Sequence, residues 1–143
     1  MHDHRSTVQA IYAAFGRGDV AGILVHLAED VAWESWHDNR AQSSGVPWLR
    51  PYRRRDDVVR FFEEVGRWQI HGFAVLDIMA GERQVASEVT IDATLPSGRR
   101  YVDEEMHLWT FGPDGKVTRF RHYADTAKQI HAAGLEAVHT AGA

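Results

Sequence analysis

The sequence predicts an α+β fold in which helices, gathered first, cover one face of a strongly curved sheet built from the later residues. A change of period carries that prediction. Val8, Ile11, Tyr12 and Phe15, then Val58, Phe61, Phe62 and Val65, repeat at i, i+3, i+4 and i+7, the apolar stripe of an amphipathic helix. From Gln69 onward the period becomes two. Four strand-like runs follow, separated by Gly81-Glu82, Pro96-Ser97-Gly98 and Gly112-Pro113-Asp114-Gly115. Alternating βαβ units, which would demand a parallel sheet, do not occur in this pattern.

Each element has a local warrant. Asp3 or Ser6 caps the first helix and Gly16-Arg17-Gly18 ends it. Asp19 caps a short second helix with Ile23, Leu24 and Leu27 on its buried side, and Val31–Trp36 reads as the first strand. Residues 37–52 show no period and hold Ser43-Ser44-Gly45, Pro47 and Pro51, so they read as a long loop, a feature that in small domains often carries function. Asp56 and Asp57 place negative charge where the first turn of the third helix favours it, and that helix ends near Gly66. Along Gln69–Ala80 the alternation runs through Ile70, Gly72, Ala74, Leu76 and Ile78. Asp125 or Thr126 caps a closing helix over Ala127–Ala133, stopped by Gly134, and the tail 135–143 is expected to fray.

The 143 residues suit a single domain, 1–143, with a real core. A net charge of −4 argues against nucleic acid, and Arg53-Arg54-Arg55 reads as a solvated run. With no cysteine there are no disulfides, thiolate metal sites or cysteine nucleophiles. The N-terminus lacks an apolar signal core and no stretch has the length of a membrane span, so a cytoplasmic protein without membrane contact is expected.

The chemistry concentrates in one hairpin, Arg99 to Asp125. Asp103, Glu105 and His107 recur at every second position and point to one face of the sheet, and His122 stands on the next strand. Trp109, Phe111, Phe120 and Tyr123 surround them, the composition of a polar site inside an apolar cup. Register decides whether the histidines meet. If Gly112 pairs with Lys116, His107 faces Arg121 and His122 lies on the opposite face; a shift of one residue unites the pair. His107, His122, Glu105 and Glu88 also make a histidine–carboxylate set in composition. No compact motif such as His-Glu-x-x-His is present, so neither metal nor cofactor is expected, and terminal His2 and His4 read as adventitious ligands.

Four strings carry a family resemblance: the first helix running into Gly18-Asp19, LAEDVAW (27–33), VPWLRPYRRRDDVVRFFEEV (46–65) and DGKVTRFRHYAD (114–125). In order and spacing the chain resembles the NTF2-like superfamily, in its SnoaL-like branch of small polyketide cyclases and isomerases. The resemblance implies a cone: a curved, mixed or antiparallel sheet wrapped around three N-terminal helices, with a short C-terminal helix and an outer sheet face that pairs two chains. It also implies where sites fall. The general-base aspartate of ketosteroid isomerases falls on Ser35, their oxyanion tyrosine on Ile11 beside Tyr12, and their second oxyanion acid on Glu105. The essential aspartate of the cyclase and limonene-epoxide-hydrolase relatives falls on His122. The cyclase histidine falls on His107 if the Gly112–Gly115 turn holds one extra residue.

Ketosteroid-type isomerisation is therefore not expected. The reading is a cofactor-independent isomerase, cyclase or dehydratase acting on a small hydrophobic carbonyl or polyketide-like compound. His122 accepts the proton, while His107 and Glu105 hold the oxygen that gains charge. Tyr12, Phe15, Trp33, Trp48, Glu88, Thr90, Asp103, Trp109 and Phe120 are expected around the substrate, Glu88 and Thr90 by position in the isomerases. The competing reading is a non-catalytic protein that shelters a hydrophobic ligand, and a third is a purely structural dimer module. Fold alone does not choose among them.

Overall fold

The computed structural model describes residues 2–36 and 38–135, with Ser35 through its main chain alone. Helix α1 (His4–Gly16) is N-capped by Asp3, whose side chain accepts from the Ser6 N–H, and it buries Val8, Ile11 and Ala14. Asp19 caps α2 (Val20–Leu24) by accepting from the Gly22 N–H. Leu27, expected at the end of that helix, instead opens strand β1 (Leu27–Ser35). The helix stops at Leu24 and the buried Leu27 side chain joins the core from the strand.

The expected long loop is largely ordered. It contains a one-turn helix α3 (Arg40–Ser43), capped by Asn39, and a 3-10 turn at Pro47–Leu49 that buries Trp48 and Leu49. Its end is tied to β1 by the isolated bridge between Trp33 and Tyr52. Asp56 and Asp57 lie in a 3-10 turn (Arg55–Val58) that leads into α4 (Val59–Val65).

Strands β2 (Gln69–Ala80), β3 (Gln84–Thr94), β4 (Arg100–Phe111) and β5 (Val117–Tyr123) form an antiparallel series. β1 adds to β5 in parallel, so the five-stranded sheet is mixed, in the order β1-β5-β4-β3-β2. Helix α5 (Thr126–Ala132), capped by Asp125, closes the chain against β4. The expected tail falls on residues 136–143, outside the described residues, apart from Leu135, which packs on the buried cluster that includes Trp48, Tyr101 and Ile130.

Parity on β3 and β4 sorts the sheet into two faces. Val85, Ser87, Val89, Ile91 and Ala93 face inward, with Tyr101, Asp103, Glu105, His107, Trp109 and Phe111. Along β2 the phase differs from expectation. Phe73 and Val75 are the residues turned toward the core, and register shifts near His71 and Leu76 precede the inward Ile78. Ile70, Leu76 and Met79, read from sequence as part of a regular strand, are exposed.

The hairpin register resolves by a bulge. Gly112 does pair with Lys116, its N–H donating to that carbonyl at 2.9 Å, and Gly115 takes φ +80° in the turn. Phe111 pairs with Val117, but Thr110 pairs with Arg119, leaving Thr118 as the extra residue. His107 therefore sits directly opposite His122. The extra residue lies just beyond the turn, not within it.

Candidate active site

Glu105, His107 and His122 meet on the inner face of the sheet, each at most 9% exposed. Glu105 Oε1 lies 2.8 Å from His122 Nε2 and 3.4 Å from His107 Nε2. The other carboxylate oxygen, Oε2, lies 2.6 Å from the Tyr101 hydroxyl, which is also 2.9 Å from Asp103 Oδ2. A phenol has one proton to give, so Tyr101 serves one carboxylate at a time. Gln129 donates to the Tyr101 oxygen at 3.1 Å and accepts from the Trp48 indole at 3.2 Å, which ties α5 and the 3-10 turn to the site.

On the other side of Glu105 the chain of contacts continues toward α1. His107 Nδ1 is 2.6 Å from the Tyr12 hydroxyl, which is 2.5 Å from Ser87 Oγ, and the Trp109 indole donates to Ser87 at 3.2 Å. Following the donors gives one direction: Trp109 to Ser87, Ser87 to Tyr12, Tyr12 to His107 Nδ1, and His107 Nε2–H to Glu105. In this arrangement His107 is neutral.

Charge follows the same division. Burial alone would raise the Glu105 carboxyl, but the positive His122 and the hydrogen bonds from both imidazoles outweigh it and hold the group below the usual carboxylate range. Burial pushes His107 down, toward the neutral ring. Burial also disfavours charge on His122, yet the adjoining Glu105 carboxylate, with Asp103 beyond it, raises it above the ordinary imidazole value. Two imidazoles with their ring centroids 5.2 Å apart thus take opposite preferences: Glu105 favours charge on His122, while burial and the charge on His122 keep His107 neutral. Burial likewise raises the Tyr12 and Tyr101 hydroxyls, which stay protonated.

The cluster lines a cavity of about 80 Å³ whose wall is almost wholly apolar. Tyr12, Phe15, Trp33, Trp48, Trp109 and Phe120 line it, as do Phe61, Phe62, Trp68 and Phe73, which sequence reasoning assigned to helix stripes or left unassigned. Trp33 stacks on Phe120 with centroids 4.1 Å apart, and Trp109 lies 4.6 Å from Phe120, so these rings fill much of the cone. The indole N–H groups of Trp33 and Trp68 have no hydrogen-bond partner among the described residues.

Three expected contacts do not belong to the cavity. Glu88 and Thr90 have the opposite parity from Ser87 and Val89, and face outward opposite Met106 and Glu104. Asp103 is buried on the inner face but spends its oxygens on Tyr101, the Asp125 N–H and Lys128, away from the cavity wall. Tyr101 and Ser87 escaped the sequence reading, although each shares the inward parity of its strand. Gln129, one helix away in sequence, carried no such signal. Ser35 pairs through its main chain with His122.

A curved mixed sheet closed by helices over a buried carboxylate–imidazole cluster is an NTF2-like cone. The chain belongs to the SnoaL-like domain family, whose model matches residues 8–120. An NTF2-like protein of unknown function from Burkholderia pseudomallei superposes with a TM-score of 0.78 at 26% identity, covering 93% of this chain and 98% of that one. A candidate polyketide cyclase from Xanthomonas campestris superposes with a TM-score of 0.68 at 23% identity over 91% and 96% of the two chains. An LEH-like epoxide hydrolase from M. tuberculosis gives 0.68 at 16% identity over 97% and 95%. No curated protein matches the sequence. These likenesses establish a shared fold and carry no reaction over. Among the described residues no helix is long and apolar enough to cross a membrane.

Proposed function

We propose that this chain is a cofactor-independent acid–base enzyme acting on a small hydrophobic carbonyl compound, by isomerisation, aldol-type cyclisation or dehydration. One observation carries the reading: the Glu105–His122 ion pair is buried against an otherwise apolar cavity. Stability does not account for such a pair, because well-packed apolar residues in its place are often neutral or stabilising. A proton donor beside a hydrophobic cavity is what carbonyl chemistry needs.

The assignment of roles changes from the sequence reading. With Glu105 beside it, His122 rests protonated and first acts as donor: Nε2–H stays on Glu105 Oε1, and the other ring proton passes to a substrate oxygen. The neutral imidazole so formed, held by Glu105, then takes a proton back from carbon or water. Transfers in this order serve keto–enol isomerisation directly, and they serve loss of a β-hydroxyl once a second group removes the α-proton. The names of the Xanthomonas and M. tuberculosis neighbours support a small-molecule substrate.

The size of the site limits that substrate. A cavity of about 80 Å³ is smaller than the roughly 150 Å³ that holds a benzene ring. A second, open cleft of about 810 Å³ adjoins it, and the two share Phe15, Phe62 and Phe73. The reactive carbonyl sits in the cavity and the remainder of the molecule passes these rings into the cleft.

Exchange of α-protons tests the reading without knowledge of the product. Small aryl ketones are incubated with the protein in D2O and followed by proton NMR, while tryptophan fluorescence reports binding. Exchange that disappears in His122→Gln, with binding retained, supports the enzyme. Binding by the wild type without any exchange supports the alternative, a carrier of hydrophobic ligands. A second copy of the chain is assigned to the outer sheet face, where Leu76, Met79, Val102 and Met106 are exposed.

A further inference from the structure

We propose that Glu105 Oε1, His107 Nε2 and His122 Nε2 form a binding site for one divalent transition-metal ion, with its open coordination positions facing the aromatic cavity. The ligand atoms of the three buried residues lie within 4.8 Å of one another. Two ligands held at about 2.1 Å from one ion, at octahedral or tetrahedral angles, stand about 3.0–3.4 Å apart. The carboxylate oxygen is 2.8 Å from one imidazole nitrogen and 3.4 Å from the other, close to that span, and with the three ligand atoms within 4.8 Å of one another an ion draws the two imidazoles together.

The surroundings supply the outer contacts that metal ligands use. Tyr101 holds the second oxygen of Glu105 at 2.6 Å. The Tyr12 hydroxyl, 2.6 Å from His107 Nδ1, can reverse its role. When an ion takes Nε2, His107 carries its proton on Nδ1 and donates to Tyr12, which donates in turn to Ser87. Both hydroxyls rotate, so the Tyr12–Ser87 chain supports either direction. Two imidazoles and one carboxylate select zinc, iron, cobalt or nickel over magnesium and calcium, which prefer all-oxygen sets. Glu88, the remaining member of the set in the sequence, lies on the outer face and takes no part. Binding needs only the three ligand atoms and does not rest on the acid–base reading. Ion and proton compete for His122 Nε2, so the ion-bound protein has no doubly protonated His122 to act as donor.

The test is titration of chelator-treated protein with Co²⁺, read by visible ligand-field absorption, and with Zn²⁺ by calorimetry. His2 and His4 form a separate terminal pair, so the background is His2→Ala/His4→Ala. The expected result is one equivalent bound in that background, with His107→Gln and His122→Gln each weakening it by about 100-fold or more. Tyr101→Phe, which touches no ligand nitrogen, is expected to weaken it by about 10-fold or more. Absence of binding in the background variant, or affinities left unchanged by both glutamine substitutions, overturns the site. Should a glutamine variant lose its circular-dichroism signature, Tyr101→Phe decides: reduced affinity supports the site and unchanged affinity overturns it.

Discussion

His107 and His122 are the same residue type, paired across adjacent strands, and yet the fold gives them opposite charge preferences. The difference is a matter of who holds which nitrogen. Tyr12 and Ser87 complete a neutral donor chain through His107, while His122 stands closest to Glu105 and inside the field of Asp103. The sign of the pH dependence follows. A raised folded-state value means the His122 contribution to stability is fully present below its unfolded value, near 6.5, and is lost as pH rises through the raised value. In chelator, the gap in melting temperature between wild type and His122→Gln is therefore expected to narrow from about pH 6 to about pH 9. A gap that widens over that range contradicts the pairing. Replacing Glu105, His107 and His122 together by leucine is expected to leave stability unchanged or raise it by about 1–4 kcal/mol while removing proton exchange. Chemical denaturation and the exchange assay read the two effects separately.

At the scale of elements, the register of one hairpin decides whether there is a site. Thr118 bulges from β5 just after the turn, and this single insertion turns Phe120 and His122 to the inner face. Deleting Thr118 joins Val117 directly to Arg119 and leaves Phe111 opposite Val117 and His107 opposite His122, so the bulge is lost and proton exchange should persist. The Phe120 ring stays opposite Trp109 and keeps its stack on Trp33. Loss of exchange in a deletion variant that still folds argues against this register. Helix α5 acts more gently. Asp125 caps it and keeps Gln129 on Tyr101, so Asp125→Ala is expected to cost about 1 kcal/mol by thermal or chemical denaturation.

The same comparison shows what could be read in advance. Parity on β4 was legible, because Asp103, Glu105 and His107 alternate without interruption, and Tyr101 lay open to the same rule. The phase of β2 was not, since bulges at His71 and Leu76 break the period that the alternation assumed. Glu88 and Thr90 were placed by analogy with a family position, and strand parity overrules that analogy. Tyr12 was legible as a pocket residue but not as a partner of His107, 95 residues away, because no local pattern encodes a contact between a helix and a distant strand.

For the whole molecule, the cone explains why the polar cluster is buried at all: the sheet curls its inner face around rings that exclude water, and the helices close the remaining side. Its outer face carries exposed apolar residues on β2 and β4, Leu76 at 57% and Val102 at 54% among them. If a second copy covers this face, Val102→Glu with Leu76→Asp converts dimer to monomer in sedimentation analysis while leaving His122 in place. A wild-type protein that sediments as a monomer removes that assignment.

Glu105 holds His122 charged, while burial keeps the facing His107 neutral. Long-range proton–nitrogen NMR of the imidazole rings, recorded against pH in chelator, reads those states directly. The expected result is one buried ring, His122, that keeps both nitrogens protonated above the ordinary histidine value of about 6.5 and loses this in Glu105→Gln, beside a neutral His107 with its proton on Nε2. Two rings titrating together at the ordinary value, indifferent to Glu105→Gln, would contradict it.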